Sequence, residues 1–225
     1  MQWAEWVIVG VTLVVVLLLV YRKKLLRPTA ILIGLGSSLY VSYLGGLGAF
    51  FALILFFLIG EFVTRGIRNK YHAGKPHGQR STVNIVGNIG PSLIALTLNP
   101  VGFNVMFFAS LSAAFADTLS SEIGVLSKDR PLLITTLQPV STGQDGAVSL
   151  LGFMGATLGG LLFGLYAVFL THSLYWGALI FIAGLFGSIV DSVIGATFQR
   201  RGYLDNNATN FVSALLVGLF FALAF

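Results

Sequence analysis
The sequence predicts an all-α membrane protein, a polytopic bundle of about eight transmembrane helices, with seven as the alternative count. Three observations predict it. Of 225 residues, 56% are hydrophobic and only 9% charged, against about 25% charged in a soluble domain. Mean hydropathy is +0.90. The apolar residues fall into runs near the ~20 residues that cross a hydrocarbon core of about 30 Å, and the cations fall between those runs. Residues 1–225 therefore read as a single integral membrane domain.

The first span runs from about Trp3 to Val20. It has no basic stretch before it, and its cations follow it, which suits a retained helix better than a signal peptide. Arg22, Lys23, Lys24 and Arg27 form a loop closed by Pro28. Residues 29–64 are apolar and too long for one crossing, so Gly45, Gly46 and Gly48 are expected to turn them into a tight helical hairpin. A polar loop from Arg65 to Arg80 follows, carrying Arg68, Lys70 and Lys75. The fourth span covers about Ser81–Leu98, Asn99-Pro100 turns the chain, and the fifth covers about Val101–Gly124. After a loop over 125–146, the sixth covers about Ala147–Leu170. Thr171-His172-Ser173 turns into a seventh over about Tyr175–Ala196. Arg200 and Arg201 precede the eighth, about Asn207–Phe225.

The charges test that count. All thirteen Lys and Arg residues lie in loops 21–28, 65–80, 125–146 and 197–206. Eight spans put these loops on one side, and the positive-inside rule makes that side cytoplasmic. The net charge of +5 is thus explained by topology, and no nucleic-acid partner is expected. With no cysteine there is no disulfide or thiol chemistry, and three histidines alone make a zinc site improbable.

Several polar residues sit inside the spans. An acid there costs roughly 2.5–3.5 kcal/mol on insertion scales and usually faces protein or a watery cavity. Asp117 and Asp191 lie one to two turns inside the cytoplasmic ends of spans five and seven, too deep for a short side chain to reach water. Arg80, Asn84 and Asn88 recur every four residues and so share a helical face. Their alternative role is hydrogen bonding between helices. Ser188, Asp191, Ser192, Gly195 and Gln199 form a second stripe. Asn206 and Asn210 form a third, beside Asp205, which also suits a helix N-cap. Asp117 and Glu122 point about 140° apart on an ideal helix, so one cation reaches both only if the helix breaks near Ser120-Ser121 or the site is broad. Ser141-Thr142-Gly143-Gln144-Asp145-Gly146 precedes a span. Its N–H groups would suit a phosphate at a helix start, or the segment is simply a capped turn. Carboxylates together with phosphate oxygens are the usual Mg²⁺ environment. Carboxylates, amides and cations at one depth suit a reaction between a soluble phosphate donor and a lipid headgroup. A coupled transporter would keep an ionisable group near the midplane.

The segments Phe56–Gly60, Arg80…Asn84…Asn88, Ala116–Gly124, Pro139–Gly152, Asp191–Gln199 and Leu204–Phe211 resemble those of a membrane family that includes the plant and cyanobacterial phytyl-phosphate kinases. The resemblance covers about residues 45–225. It implies phosphoryl transfer from CTP or another nucleoside triphosphate to an isoprenyl monophosphate. On that reading Asp117, Glu122 and Asp191 hold Mg²⁺, and Arg80 and Lys128 neutralise phosphate. Asn84, Asn88, Ser121, Ser141, Thr142, Gly143, Asp145, Gln199, Asp205, Asn206 and Asn210 then contact headgroup or nucleotide. Membrane lipids are the expected surroundings, and a homo-oligomer is compatible with the chain. A lipid-phosphate cytidylyltransferase, a phosphatase, and a non-enzymatic transporter or scaffold are the competing readings.

Overall fold
The structure, a computed structural model, describes residues 2–71, 78–99 and 103–225. Lys75 and Pro100, which the sequence assigns to two loops, lie outside the described residues. Among those described, the helices are α1 (Trp3–Lys23), α2 (Pro28–Tyr71), α3 (Thr82–Leu98), α4 (Val105–Gly124), α5 (Leu150–Thr171), α6 (Leu174–Ile194) and α7 (Asn206–Ala224). The protein is an all-α membrane bundle. Four of these helices, α1, α5, α6 and α7, are each long and apolar enough for one crossing, and α2 offers 40 such residues, Pro28–Ile67. That is roughly 60 Å of helix, enough for two crossings.

The two crossings of α2 meet at Gly46, whose φ of 68° and ψ of −169° are open in practice only to glycine. The chain reverses there. Ile31 and Phe57 both pack on the cluster of Val20, Leu26 and Ala30, although a straight helix would hold them about 39 Å apart. Leu35 and Leu58 likewise share the cluster of Val9, Leu13, Phe50 and Ile54. The expected hairpin is therefore present, and it brings the helical segments to eight.

The bundle is built around α4. Thirteen of its twenty residues are buried, whereas α1 buries only Val9, Leu13 and Val20. Phe115 of α4 meets Phe56 of α2 and Phe163 of α5 at ring-centroid distances of 5.5 and 5.2 Å. Glycines set the spacing on the other side. A Cβ on Gly155 would lie 2.6 Å from the Leu119 carbonyl oxygen, and one on Gly159 2.8 Å from the Ala116 Cα. Small residues let membrane helices approach this closely, where packing replaces the hydrophobic effect as the driving force. Leu158, Leu161, Leu165 and Phe169 of α5 are exposed on its outer face, a face suited to lipid.

Two boundaries differ from the sequence reading. α4 begins at Val105, not Val101, because Asn104 caps it: its Oδ1 accepts from the Phe107 N–H at 2.8 Å, and its amide nitrogen donates to the carbonyl of Ala95. α5 begins at Leu150, not Ala147. Ala147-Val148 instead form strand β2, antiparallel to β1 (Leu132–Leu133), with Leu132 opposite Val148. The Ser149 hydroxyl then caps α5 by accepting from the Gly152 N–H at 3.1 Å.

Candidate functional site at one end of the bundle
A cavity of about 520 Å³ opens where the C-terminal ends of α4 and α6 meet the N-terminal ends of α3, α5 and α7. Its size is in the range of small-molecule sites. The helix directions give it two kinds of wall. Ser149 and Gly152 begin α5, Asn206 begins α7, and Asn84 lies in the first turn of α3. Those ends carry the positive pole of each helix, which favours anions. The ends of α4 and α6 supply the acids Asp117, Glu122 and Asp191, which favour cations.

Asp117, Asp145 and Asp191 line the same cavity. The Ser213 hydroxyl donates to Asp191 Oδ2 at 2.8 Å, which fixes that carboxylate. α4 runs unbroken through Ser120 and Ser121 to Gly124. Asp117 and Glu122 nevertheless both line the cavity, because the cavity is broad, not because the helix breaks. Glu122 is buried and engaged with its surroundings. Among the described residues, no three acids or histidines converge into a ready-made ion site. Among the described residues, the donors that line the cavity are carboxylate, amide, hydroxyl and backbone oxygens, without histidine or sulfur. Such a set fits Mg²⁺, which takes one or two carboxylates and completes its shell with water and substrate phosphate.

Arg80 lines the cavity but is held from behind. It precedes α3, whose N-cap is Ser81. Its Nε pairs with Glu61 Oε2 at 2.8 Å, and its Nη2 faces the Thr64 hydroxyl at 3.4 Å. Its backbone bonds to Leu25 and Arg27. Glu61 also pairs with Arg65, which donates in turn to the carbonyls of Lys23 and Lys24 at the end of α1. One buried carboxylate thus ties α1, α2 and the start of α3 together and aims Arg80.

The amides of the α3 stripe join helices and also face the cavity. Asn84 Nδ2 donates to Asn207 Oδ1 at 2.6 Å, and Asn210 Nδ2 donates to Asn88 Oδ1 at 3.2 Å, so they join α3 to α7. Asn84, Asn88, Asn206 and Asn210 also line the cavity. Replacing Asn88 by alanine is expected to lower stability by about 0.6 kcal/mol, the average for such bonds in membranes. Activity per folded molecule should fall further, by about tenfold, the equivalent of one lost ligand hydrogen bond. Thermal melting and kcat/KM on the same preparation separate the two effects. Equal small losses would make the stripe structural.

The glycine-rich segment differs from the phosphate cradle considered above. It belongs to the turn between β1 and β2, not the start of a helix; its Gln144 N–H is spent on the Ser141 carbonyl, and its Gln144 carbonyl accepts from the Ala147 N–H of β2. Gly146, at φ 73°, packs on Ala196 with no room for a Cβ. Asp145 accepts from Gln199 Nε2 at 2.8 Å. The turn therefore docks on the π-helical turn Gly195–Gln199 that ends α6. Thr142, Gly143, Asp145, Gln199 and Ser121 line the cavity. Lys128, Ser141 and Asp205 are exposed and outside its lining. Asp205 caps α7 by accepting from the Ala208 N–H at 2.8 Å, its commonest role at a helix start. The sequence reading missed Ser213, Thr64, Ser149 and Asn207. Asn207 and Ser213 had a usable signal, each lying three residues from Asn210 along α7.

Residues 11–218 match the profile of the family described as integral membrane protein DUF92. The chain belongs to that family. This membership agrees with the resemblance read from the motifs. An uncharacterized membrane protein of Methanocaldococcus jannaschii is 32% identical over 217 residues, covering 94% of this chain and 91% of the relative. Protein PGR of Arabidopsis thaliana is 30% identical, covering 76% and 80%. The chloroplastic protein VTE6 of Arabidopsis thaliana is 27% identical, covering 81% of this chain and 59% of the relative. No solved structure matches the chain.

Proposed function
We propose that this family member is an isoprenyl-phosphate kinase, transferring the γ-phosphoryl group of CTP or a related nucleoside triphosphate to an isoprenyl monophosphate. One observation carries the reading: three helix N-termini and the acids of two helix C-termini share one cavity at one end of the bundle. Phosphate oxygens suit the first set, and a cation bridging phosphates suits the second. The resemblance of the motifs to the phytyl-phosphate kinases supports the same substrates.

In this reaction a terminal oxygen of the monophosphate attacks the γ-phosphorus. A new P–O–P bond forms, the bond to the β-phosphate oxygen breaks, and CDP leaves with the displaced charge. Such a transfer asks the protein mainly for positioning and charge neutralisation. Asp117 and Asp191 would hold Mg²⁺, with Glu122 on the same helix as Asp117, and the ion would supply charge neutralisation at the donor phosphates. Arg80, aimed by Glu61, would take the acceptor phosphate. Asn84, Asn88 and Asn210 would orient it by hydrogen bonds.

Purified protein incubated with Mg²⁺, each nucleoside triphosphate and an isoprenyl monophosphate is the direct test, with products read by mass spectrometry. An isoprenyl diphosphate plus CDP supports the kinase. Release of pyrophosphate would make it a cytidylyltransferase, and release of inorganic phosphate from the lipid a phosphatase. No nucleotide-dependent product would return the protein to the transporter or scaffold class. The site is proposed to face the cytoplasm, because the basic loops lie at its end of the bundle. Cysteines placed at the exposed positions Lys128 and Arg201 should then label only from the cytoplasmic side. Labelling of either from outside would reverse the topology.

A further inference from the structure
A second, apolar groove of about 80 Å³ lies between α1, both arms of α2 and α3, and it shares Arg80, Asn84 and Asn88 with the polar cavity. A molecule with phosphate in one and hydrocarbon in the other must pass these three residues. We propose that the groove holds the isoprenyl chain of the substrate and that Gly34 limits how long a chain is accepted. The proposal rests on the kinase reading for its substrate class, and its test is separable from that reading.

The walls are hydrocarbon: Val16 and Val20 of α1, Phe57 of the second arm of α2, and Ile85 and Ile89 of α3. Ser38 adds a hydroxyl, but it donates to the Gly34 carbonyl at 2.8 Å, so it presents no free donor to the groove. Burying a chain here releases water or lipid without stranding a polar group. Ile31, Gly34 and Ser38 lie on successive turns of α2 and mark about 10 Å of depth away from the phosphate end. Gly34 sits part-way along. A Cβ added there meets nothing within 4 Å, so a larger side chain enters the groove without pushing on the backbone. Gly36 also has open space around it but is exposed and outside the groove lining.

The probe is farnesyl monophosphate with a diazirine at the far end of its chain, photolysed with the full-length protein in nanodiscs and mapped by mass spectrometry. Crosslinks should fall on α1, α2 and α3 at groove residues, and unlabelled farnesyl monophosphate should compete them away. Gly34→Phe should remove them, and Gly36→Phe should not. In turnover, Gly34→Phe should lower the kcat/KM ratio of geranylgeranyl to geranyl monophosphate by at least about tenfold, since the longer chain loses more buried methylenes. Gly36→Phe should keep the wild-type ratio. Competed crosslinks confined to other helices, or an unchanged ratio in Gly34→Phe, would overturn the groove while leaving the kinase intact. Competed groove crosslinks without turnover on any nucleotide would support the groove and sink the kinase reading instead.

Discussion

Asp117→Asn and Asp191→Asn should each lower turnover by at least about 100-fold, because each removes charge that would face the metal and donor phosphates. The structure sharpens what accompanies that loss. Asparagine is nearly isosteric with aspartate and less costly to bury than a carboxylate. In Asp191→Asn the amide oxygen can still accept from Ser213, whose hydroxyl donates to Asp191 Oδ2 in the native chain. The melting temperature should therefore hold or rise while turnover collapses. An essential structural residue would lose both together, so parallel measurement of melting and kcat separates the cases. A higher Mg²⁺ requirement in the residual activity would tie the loss to ion binding. Near-normal turnover in either variant removes that residue from the site.

The second large effect belongs to a residue outside the chemistry. Glu61→Ala should cost about 3–5 kcal/mol, the range for removing one partner of a buried ion pair. The side chain of Glu61 is 4% exposed and that of Arg80 13%, so the stranded guanidinium has little access to water. Arg65, more exposed, keeps its contacts to the Lys23 and Lys24 carbonyls. The double variant Glu61→Ala/Arg80→Met should regain part of the stability, since it strands no charge, but not the activity. Thermal unfolding in detergent checks the first claim, and the double-mutant cycle checks the second. A loss below about 1 kcal/mol for Glu61→Ala would mean the pair behaves as an exposed one.

Much of this fold was legible in the sequence because the bilayer imposes a length scale. An apolar stretch over residues 29–64, interrupted by Gly45, Gly46 and Gly48, had to turn, and the placement of the cations between apolar runs pointed to eight segments, the number of helical segments among the described residues. Depth was legible for the same reason: Asp117, Asp191, Asn84 and Asn210 do line one cavity. Azimuth was not. Lys128 and Asp205 lie at the right end of the bundle but turn to water or to a helix cap, and nothing in hydropathy distinguishes them from Arg80. Nor could spacing reveal that Glu61 reaches Arg80, since that pairing depends on the bridge between Leu26 and Arg80 that brings two loops side by side. The start of α5 was misplaced because Ala147-Val148 are apolar and continue the run, although they pair as a strand with Leu132-Leu133.

The burial of α4 bears on how the protein is made. It carries Asp117, Glu122 and five serines and threonines among its twenty residues, and it falls outside the helices apolar enough to cross on composition alone. The translocation machinery would present it to lipid as a weak stop signal, because each acid opposes partitioning into the bilayer. α5, by contrast, crosses on its own composition and receives α4 against Gly155 and Gly159. During synthesis α4 would wait at the membrane until α5 emerges, and the two would enter as a pair. The helix that holds Asp117 and Glu122 would thus be a passenger in its own biogenesis, admitted to the bilayer by the helix that follows it.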